Sequence, residues 1–244
     1  MIGDIHAPFH DPKTIDLTLT FLREWQPDIV WEIGDMVDCY AISKFNKDPK
    51  RILGLQDEFD QAHNILKRLR AACPNAQIHH LDGNHELRMQ ALLWSKVPEL
   101  SSLRELSVER LLGLGELGIE YHDCDCEIEY KNMLQIMHGT NVSKHSGWTA
   151  KAHYERYGGC GIIGHCHRGG NYLITKRGDT NGWWENFCLC DLNPEYVRSP
   201  NWQQGFSLGY FSRDRFDIVS VPIVQHRFVV DGKYYVWKKK GKVV

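Results

Sequence analysis

The first two-thirds of the chain alternates short apolar runs with stretches in which apolar residues recur every three to four positions. The β-rich run at 28–33 predicts a strand, whereas Ile15, Leu19 and Leu22 fall at i, i+4 and i+7 and predict one face of a helix. The same criteria predict further strands at 76–81, 131–137 and 160–163, and further helices at 56–73, 86–96 and 146–157. This alternation is typical of an α/β fold.

From residue 172 onward the helical period is absent. Apolar runs at 206–211, 218–224, 228–230 and 234–237 predict strands, and Asp231-Gly232 predicts a hairpin turn between the last two. Because no linker separates the halves, we expect a single domain over 1–244. Its motif-bearing α/β part would cover 1–170, and a mainly β part over 171–244 would complete a second sheet.

Composition restricts the class of protein without identifying it. Apolar residues make up 42% and charged residues 25%, which is ordinary for a globular protein. No apolar run approaches the roughly 18 residues of a membrane helix, and the N-terminus has no secretory signal pattern. We therefore expect a cytoplasmic protein without membrane contact. The net charge of −2 does not indicate a nucleic-acid binder, but a nuclease needs only a local basic rim.

The eight cysteines include two C-x-C pairs, Cys124 with Cys126 and Cys188 with Cys190. No C-x-x-C is present, so the spacing indicates neither a zinc ribbon nor a thioredoxin-type redox motif. The two pairs could meet as a four-thiolate zinc site. Reduced, half-buried strand cysteines are the preferred interpretation for a cytosolic chain.

Five polar clusters, each containing a glycine, recur along the chain at predicted strand ends. They are Gly3-Asp4-Ile5-His6, Gly34-Asp35-Met36-Val37-Asp38, Gly83-Asn84-His85-Glu86, His138-Gly139 and Gly164-His165-Cys166-His167. The carboxyl ends of strands are where α/β sheets build sites. Glycine lets the chain turn sharply there and lets the backbone approach a ligand.

The clusters supply hard oxygens and imidazoles rather than thiolates. The candidate ligands are Asp4, His6, Asp35, Asn84, His138, His165 and His167. Such a set suits two first-row dications such as Mn²⁺, Fe or Zn²⁺, with one carboxylate bridging them. Each cluster alone has a plainer interpretation, such as a capping Asp, a surface histidine pair or an N-cap Asn. The presence of all five clusters in this order along the chain favours a metal site over these interpretations.

The order GDIH, GDMVD, GNHE, HG and GHCH, covering residues 3–167, resembles the calcineurin-like metallophosphoesterase family. The DLNP and NWQQGF segments, within 191–206, further resemble members encoded by phages and prophages. The resemblance implies a four-layer αββα sandwich, in which two mixed β-sheets are flanked by helices. It places a dimetal site at the top of the sheets.

The resemblance also implies roles for the individual residues. The first metal would be held by Asp4, His6 and His167, the second by Asn84, His138 and His165, and Asp35 would bridge them. His85 would protonate or stabilise the leaving oxygen, oriented by Asp38. The implied cofactors are two divalent ions, with Mn²⁺ favoured and Fe or Zn²⁺ as alternatives.

These roles imply a phosphoester hydrolase that uses a metal-bridging hydroxide, since coordination lowers the pKa of water. A phosphodiesterase acting on nucleotides or nucleic acid is favoured, working in the host cytoplasm if the chain is phage-encoded. A phosphomonoesterase, including a protein phosphatase, is one alternative, and a non-catalytic metal-binding scaffold is another. Asp38 is followed by Cys39-Tyr40 where protein Ser/Thr phosphatases have Arg-Gly, which weakens the protein-phosphatase alternative. The oligomeric state stays open.

Candidate substrate contacts follow three of the motifs. They are Arg88, Asn141, Lys144, His145 and Arg168. For Lys144, His145 and Arg168, a solvated position on a helix surface is an equal alternative. Trp148 could stack a base, although core packing is preferred. Histidines outside the motifs, including His79, His80 and His122, are taken as structural. Because only two residues precede Gly3, we expect the first strand to be short.

Overall fold

The computed structural model describes residues 1–51, 53–124, 126, 128–194 and 199–238. Its α-helices are α1 (Pro12–Trp25), α2 (Leu55–Ala72), α3 (Leu87–Lys96), α4 (Val108–Leu111) and α5 (Trp148–Tyr157). Its strands are β1 (Ile29–Glu32), β2 (Gln77–Leu81), β3 (Ile119–His122), β4 (Ile128–Tyr130), β5 (Leu134–Met137), β6 (Gly161–Ile163), β7 (Gly169–Lys176), β8 (Asp179–Asn186), β9 (Gln204–Phe211), β10 (Phe216–Ile223), β11 (Arg227–Val230) and β12 (Lys233–Val236).

The first sheet is built on parallel strands in the order β1–β2–β3. On the other side of β1, Ile2 forms a parallel bridge with Glu32, and the backbone of Met1 bonds to Ser207 of β9. The N-terminal segment therefore joins β1 to the antiparallel β9–β10 hairpin. It is short, as expected, but it is held on both sides.

The second sheet has the order β4–β5–β6–β8–β7, with β5, β6 and β8 parallel and the edge strands β4 and β7 antiparallel. The sequence pattern did not predict β3, β4, β7 or β8. β3 and β4 have only four and three residues. β7 and β8 carry several glycines and polar residues, so they lack the apolar run that indicates a buried strand.

Three apolar clusters separate four layers. Phe21 of α1 and Leu66 of α2 pack with Ile78 on the outer face of the first sheet. Trp31 of β1 packs with Ile136 of β5, between the two sheets. On the far side, α5 covers the second sheet, with Ala150, Ile163 and Trp183 buried together. The fold is therefore an αββα sandwich with mixed sheets, as the resemblance implied.

Local chemistry sets the helix boundaries. Asp11 caps α1 by accepting hydrogen bonds from the amides of Lys13 and Thr14, and Pro12 opens the helix. The predicted helix at 146–157 begins only at Trp148, because Gly147 has a left-handed φ of 80° that a helix does not accommodate. In the part of the chain that the structure describes, no helix is long and apolar enough to cross a membrane.

The loops that follow β1, β2, β5 and β6 carry four of the five polar clusters, and the fifth follows the Ile2 bridge. These loops come from both sheets. Their side chains contact one another, so the two sheets present their carboxyl ends to one place, where α/β sheets build sites.

Candidate metal centre

One group of candidate ligands gathers around His6. Asp4, His6, Asp35 and His167 are all buried, and their ligand atoms lie within 4.8 Å of one another. His6 Nε2 lies 3.0 Å from His167 Nε2 and 3.6 Å from Asp35 Oδ2. His167 Nε2 lies 3.2 Å from Asp4 Oδ1. Two imidazoles and two carboxylates thus converge, which is a donor set for a divalent metal.

A second group forms on the other side of Asp35. Asp35, His138 and His165 also bring one ligand atom each within 4.8 Å of the others. His138 Nε2 lies 3.3 Å from Asp35 Oδ2 and 3.1 Å from Asn84 Oδ1, so the amide oxygen joins this group. His138 Nδ1 donates to the Ile33 carbonyl at 2.9 Å, which leaves Nε2 facing the centre. Asp35 is common to both groups.

Five of the seven candidate ligands have a left-handed backbone. The φ values are 50° for Asp4, 53° for His6, 54° for Asp35, 63° for His165 and 55° for His167. Each such residue costs roughly 1–3 kcal/mol and persists only when its surroundings enforce it. Here the strand pairing before each turn and the bonds from the His165 amide to the Asp4 carboxylate, both 3.0 Å, enforce it. Strain of this kind concentrates at functional sites.

Glycine allows the loops to approach closely. A Cβ on Gly83 would lie 2.2 Å from Asp35 Oδ1 and 2.5 Å from its amide nitrogen. A Cβ on Gly164 would lie 2.8 Å from Asp4 Oδ2. Side chains at these positions would collide with the two carboxylates of the centre, so both glycines are required by close approach.

Beside this centre, Asp38 orients two histidines. His85 Nδ1 donates to the Asp38 carbonyl at 2.9 Å and lies 3.3 Å from its Oδ2. The same carboxylate oxygen lies 3.1 Å from His6 Nδ1. His85 Nε2 is thereby directed towards Asp35 Oδ2, at 3.8 Å, and towards Arg88 Nη2, at 3.0 Å. Asp38 contacts His85 as expected and also fixes His6.

Burial and neighbouring charges act in opposite directions on these groups. Burial raises the pKa of Asp35, but His138 and His85 outweigh it and the pKa lies well below the ordinary value. Burial lowers the pKa of His138, but Asp35 outweighs it and raises the pKa to about 10. Burial, followed by His138, lowers the pKa of His165 to about 4. A metal ion at His138 would have to displace its proton, so metal binding releases protons here.

Glu86 is a residue whose role the sequence did not reveal. Its buried carboxylate accepts hydrogen bonds from the amides of Asp35 (3.0 Å), Val37 (2.9 Å) and Gly83 (2.8 Å). It therefore ties the loop that carries Asp35 to the loop that carries Asn84. In the sequence, Glu86 stands out only as the last residue of the GNHE motif. The helical pattern at 86–96 made it the first residue of a predicted helix and gave no hint of these contacts.

The candidate substrate residues occupy different environments. Arg88 lines a cavity of about 340 Å³ together with His85, Tyr40 and Phe45. Asn141, Lys144 and His145 are exposed on the loop after β5.

Arg168 is buried, and its Nη1 donates to the carbonyls of Ser143 (2.7 Å) and Cys166 (3.4 Å). It thus holds the loop after β5 against the loop that carries His165. The preference for core packing of Trp148 was wrong. The residue is 58% exposed, and its ring contacts His145, with 4.5 Å between ring centroids.

The cysteine pairs lie in different environments. Cys188 and Cys190 are buried, and Cys190 Sγ lies 3.8 Å from His167 Nδ1. Cys124 and Cys126 are exposed. Among the residues placed in the structure, no candidate metal group combines the two pairs, so the four-thiolate alternative is not supported. Trp202 packs edge-on against His167, with 4.3 Å between ring centroids.

Comparison with known proteins gives relatives from phages. No family model matches the chain. It is 28% identical to the Gene 54 protein of Mycobacterium phage L5 and 29% identical to the Gene 54 protein of Mycobacterium phage D29. Each alignment covers 98% of this chain and 97% of the relative. Among solved structures, a double mutant of Vps29 from Entamoeba histolytica aligns with a TM-score of 0.46 and 15% identity, covering 96% of this chain and 93% of that one. The chain is therefore similar to two phage proteins over nearly its whole length.

Proposed function

We propose that this chain is a dimetal-dependent phosphoester hydrolase of the calcineurin-like metallophosphoesterase type, and that it is a phosphodiesterase acting on nucleotides or nucleic acid. The observation that carries the proposal is the position of Asp35, whose carboxylate belongs to both ligand groups. A carboxylate shared in this way is what a two-metal site requires. The proposal treats 1–244 as one domain, since loops of both sheets supply the ligands.

The residues present fit two first-row dications. Asp4, His6 and His167 would hold one, Asn84, His138 and His165 the other, and Asp35 would bridge. When bound, the pair supplies an activated water as nucleophile and neutralises charge on the phosphoryl oxygens. Mn²⁺ is favoured, with Fe and Zn²⁺ as alternatives, because the donors mix imidazoles with oxygens.

His85 is placed to handle the leaving-group proton. Burial lowers its pKa, but the carboxylates of Asp35 and Asp38 outweigh burial and the net pKa is raised. The two carboxylates therefore favour the protonated form of the ring, whose Nδ1 donates to the Asp38 carbonyl. Arg88, whose Nη2 is 3.0 Å from His85 Nε2, adds a positive charge on the same side. The two groups would assist departure of an alkoxide, which leaves poorly without a proton.

Two recesses of very different size lie beside the ligands. The cavity of about 340 Å³ at His85 and Arg88 has room for a leaving group. A narrower recess of about 20 Å³ lies at His6 and His167, with Trp202 in its lining. The narrow recess has room for no more than about one water molecule, so only the cavity at His85 and Arg88 is proposed to take a substituent of phosphorus. The similarity to phage proteins supports action in the host cytoplasm.

The test compares leaving groups of different basicity. In His85→Ala we expect hydrolysis of a dinucleotide to fall by about 10²–10⁴-fold, because its alkoxide needs a proton. Hydrolysis of bis-(p-nitrophenyl) phosphate should fall far less, because p-nitrophenolate leaves unaided. Metal content should match the wild type. His63→Gln, whose ring bonds the Leu112 carbonyl, is the control and should leave both rates unchanged.

The outcomes separate the rival functions. Equal losses on both substrates would contradict the proton-donor role of His85. Preference of the wild type for monoesters over diesters would indicate a phosphomonoesterase. A metal-replete wild type that cleaves neither class would indicate a scaffold.

A further inference from the structure

A second cluster of metal-ligating side chains lies on the first sheet and shares no residue with the candidate metal centre. It consists of His79 on β2 and of Glu120 and His122 on β3, one ligand atom of each lying within 4.8 Å of the others. The strand register explains the grouping. Trp31, His79 and Glu120 are direct neighbours across β1, β2 and β3, and His122 follows two residues later on the same face.

The ligand atoms converge on one point. His79 Nδ1 lies 3.1 Å from His122 Nε2 and 3.3 Å from Glu120 Oε2. His122 Nε2 lies 3.6 Å from Glu120 Oε1. The two ring nitrogens therefore face each other and the same carboxylate. In the candidate metal centre, the nitrogens of His6 and His167 converge at a similar distance, 3.0 Å.

Packing holds both rings in this orientation. The indole of Trp31 stacks on His79, with ring centroids 4.0 Å apart and an angle of 13° between the planes. The same indole lies 5.6 Å from His122, and the two imidazoles are 5.3 Å apart. The side chains of His79 and His122 are 11% and 17% exposed, whereas that of Glu120 is 65% exposed. A metal ion would find the nitrogens prearranged and could approach from the solvent side.

The ligand chemistry suits zinc, as it suits other first-row dications that take imidazole and carboxylate ligands. Two imidazoles and one carboxylate make a three-ligand set to which water adds a fourth, tetrahedral position. Hard cations such as Mg²⁺ prefer an all-oxygen shell and are disfavoured. Burial lowers the pKa of His79, which favours the neutral ring that a metal requires.

We propose that His79, Glu120 and His122 form a third metal site, which takes Zn²⁺ and is independent of the candidate metal centre. The ion would cross-link the edge strand β3 to β2, and it would stabilise the edge of the first sheet. This inference does not depend on the proposed hydrolase activity.

The experiment counts zinc equivalents in the full-length protein after equilibration with Zn²⁺ at a buffered micromolar level. His122→Asn and Glu120→Gln should each bind one equivalent fewer than the wild type, and their melting temperatures should respond less to Zn²⁺. Glu129→Gln is the matched control and should bind as the wild type does, because Glu129 is exposed on β4, the next strand along the chain, which belongs to the second sheet. The experiment compares the zinc content of each variant with that of the wild type. Ions bound at the candidate metal centre contribute equally to both proteins and therefore cancel.

Two results would overturn the proposal. Equal zinc content in the wild type, His122→Asn and Glu120→Gln would show that no ion binds there. A loss of zinc in a Cys124→Ser/Cys126→Ser variant would show that the nearby thiols belong to the ligand set and that the three-residue site is wrong. Since Glu120 is exposed, its substitution tests the site even if His122→Asn is unstable.

Discussion

His80 lies between two buried carboxylates beneath the carboxyl ends of the first sheet. Its Nδ1 is 2.5 Å from Glu32 Oε2 and its Nε2 is 3.3 Å from Asp82 Oδ1. All three residues are almost wholly buried, and Tyr121 donates its hydroxyl to Asp82 at 2.6 Å. Burial lowers the pKa of His80, but Glu32 and then Asp82 outweigh it and raise the pKa to about 10. We expect this proton to stabilise the fold measurably.

The magnitude follows from the difference in proton affinity between the folded and unfolded chains. The pKa rises from 6.5 to about 10 on folding, so the stabilisation is complete below pH 6.5 and is lost as the pH rises through 10. Each factor of ten in affinity is worth about 1.4 kcal/mol. The proton therefore contributes about 4 kcal/mol at pH 7 and roughly 1 kcal/mol at pH 9. The wild type should lose about 2–3 kcal/mol from this source between the two pH values.

The assay is urea unfolding of metal-stripped protein at pH 7 and pH 9, in which proton release by metal binding does not contribute. The comparison protein is His80→Gln/Glu32→Gln, which removes both ionisable partners. Between pH 7 and pH 9 the free energy of unfolding should fall about 2–3 kcal/mol further in the wild type than in this double variant. His63→Gln serves as control and should keep the wild-type dependence. An equal pH dependence in the wild type and the double variant would refute the reasoning.

Three further predictions concern the loops of the candidate metal centre. Asp35→Asn should lose both metal equivalents by elemental analysis, whereas Asn84→Ala should lose one; two retained ions in Asp35→Asn would exclude the bridge. Gly83→Ala should release metal and abolish turnover, because its Cβ would lie 2.2 Å from Asp35 Oδ1; wild-type metal affinity would contradict this. Arg168→Gln removes the guanidinium from two backbone carbonyls, so thermal unfolding should show a loss of about 1.5–3 kcal/mol. In Arg168→Gln, KM should rise while metal content stays close to that of the wild type. Arg177→Gln, at an exposed residue, should change neither KM nor the free energy of unfolding.

The sequence carried most of the information about the candidate ligands, since strand ends with glycine and short-range pairs such as Asp4 with His6 are local patterns. The four layers followed from the family resemblance, and the three apolar clusters of the structure confirm them. The hairpin of β7 and β8 was missed because its stability comes from partners across the strands. Trp183 in β8, for example, is buried by contacts with residues of α5 and β6 that are distant from it in sequence.

Roles that depend on contacts between residues far apart in the chain could not be predicted from these local patterns. The Glu86 carboxylate reaches amides of two loops, one of them about fifty residues away in sequence. Arg168 follows the GHCH motif directly, which suggested substrate binding, yet the fold directs its guanidinium to the Ser143 carbonyl. His79 and His122 were taken as structural because they lie outside the motifs. They are 43 positions apart, and the register of β2 and β3 brings them together.

The measurement that tests the central claim most directly is hydrolysis of bis-(p-nitrophenyl) phosphate against p-nitrophenyl phosphate by protein stripped of metal and then titrated with Mn²⁺. A two-metal phosphodiesterase should be inactive when stripped and should regain activity as the second equivalent of Mn²⁺ binds. Its restored rate should be faster on the diester. Activity that is unchanged by metal removal, or no cleavage of either ester with two equivalents of Mn²⁺ bound, would contradict the account.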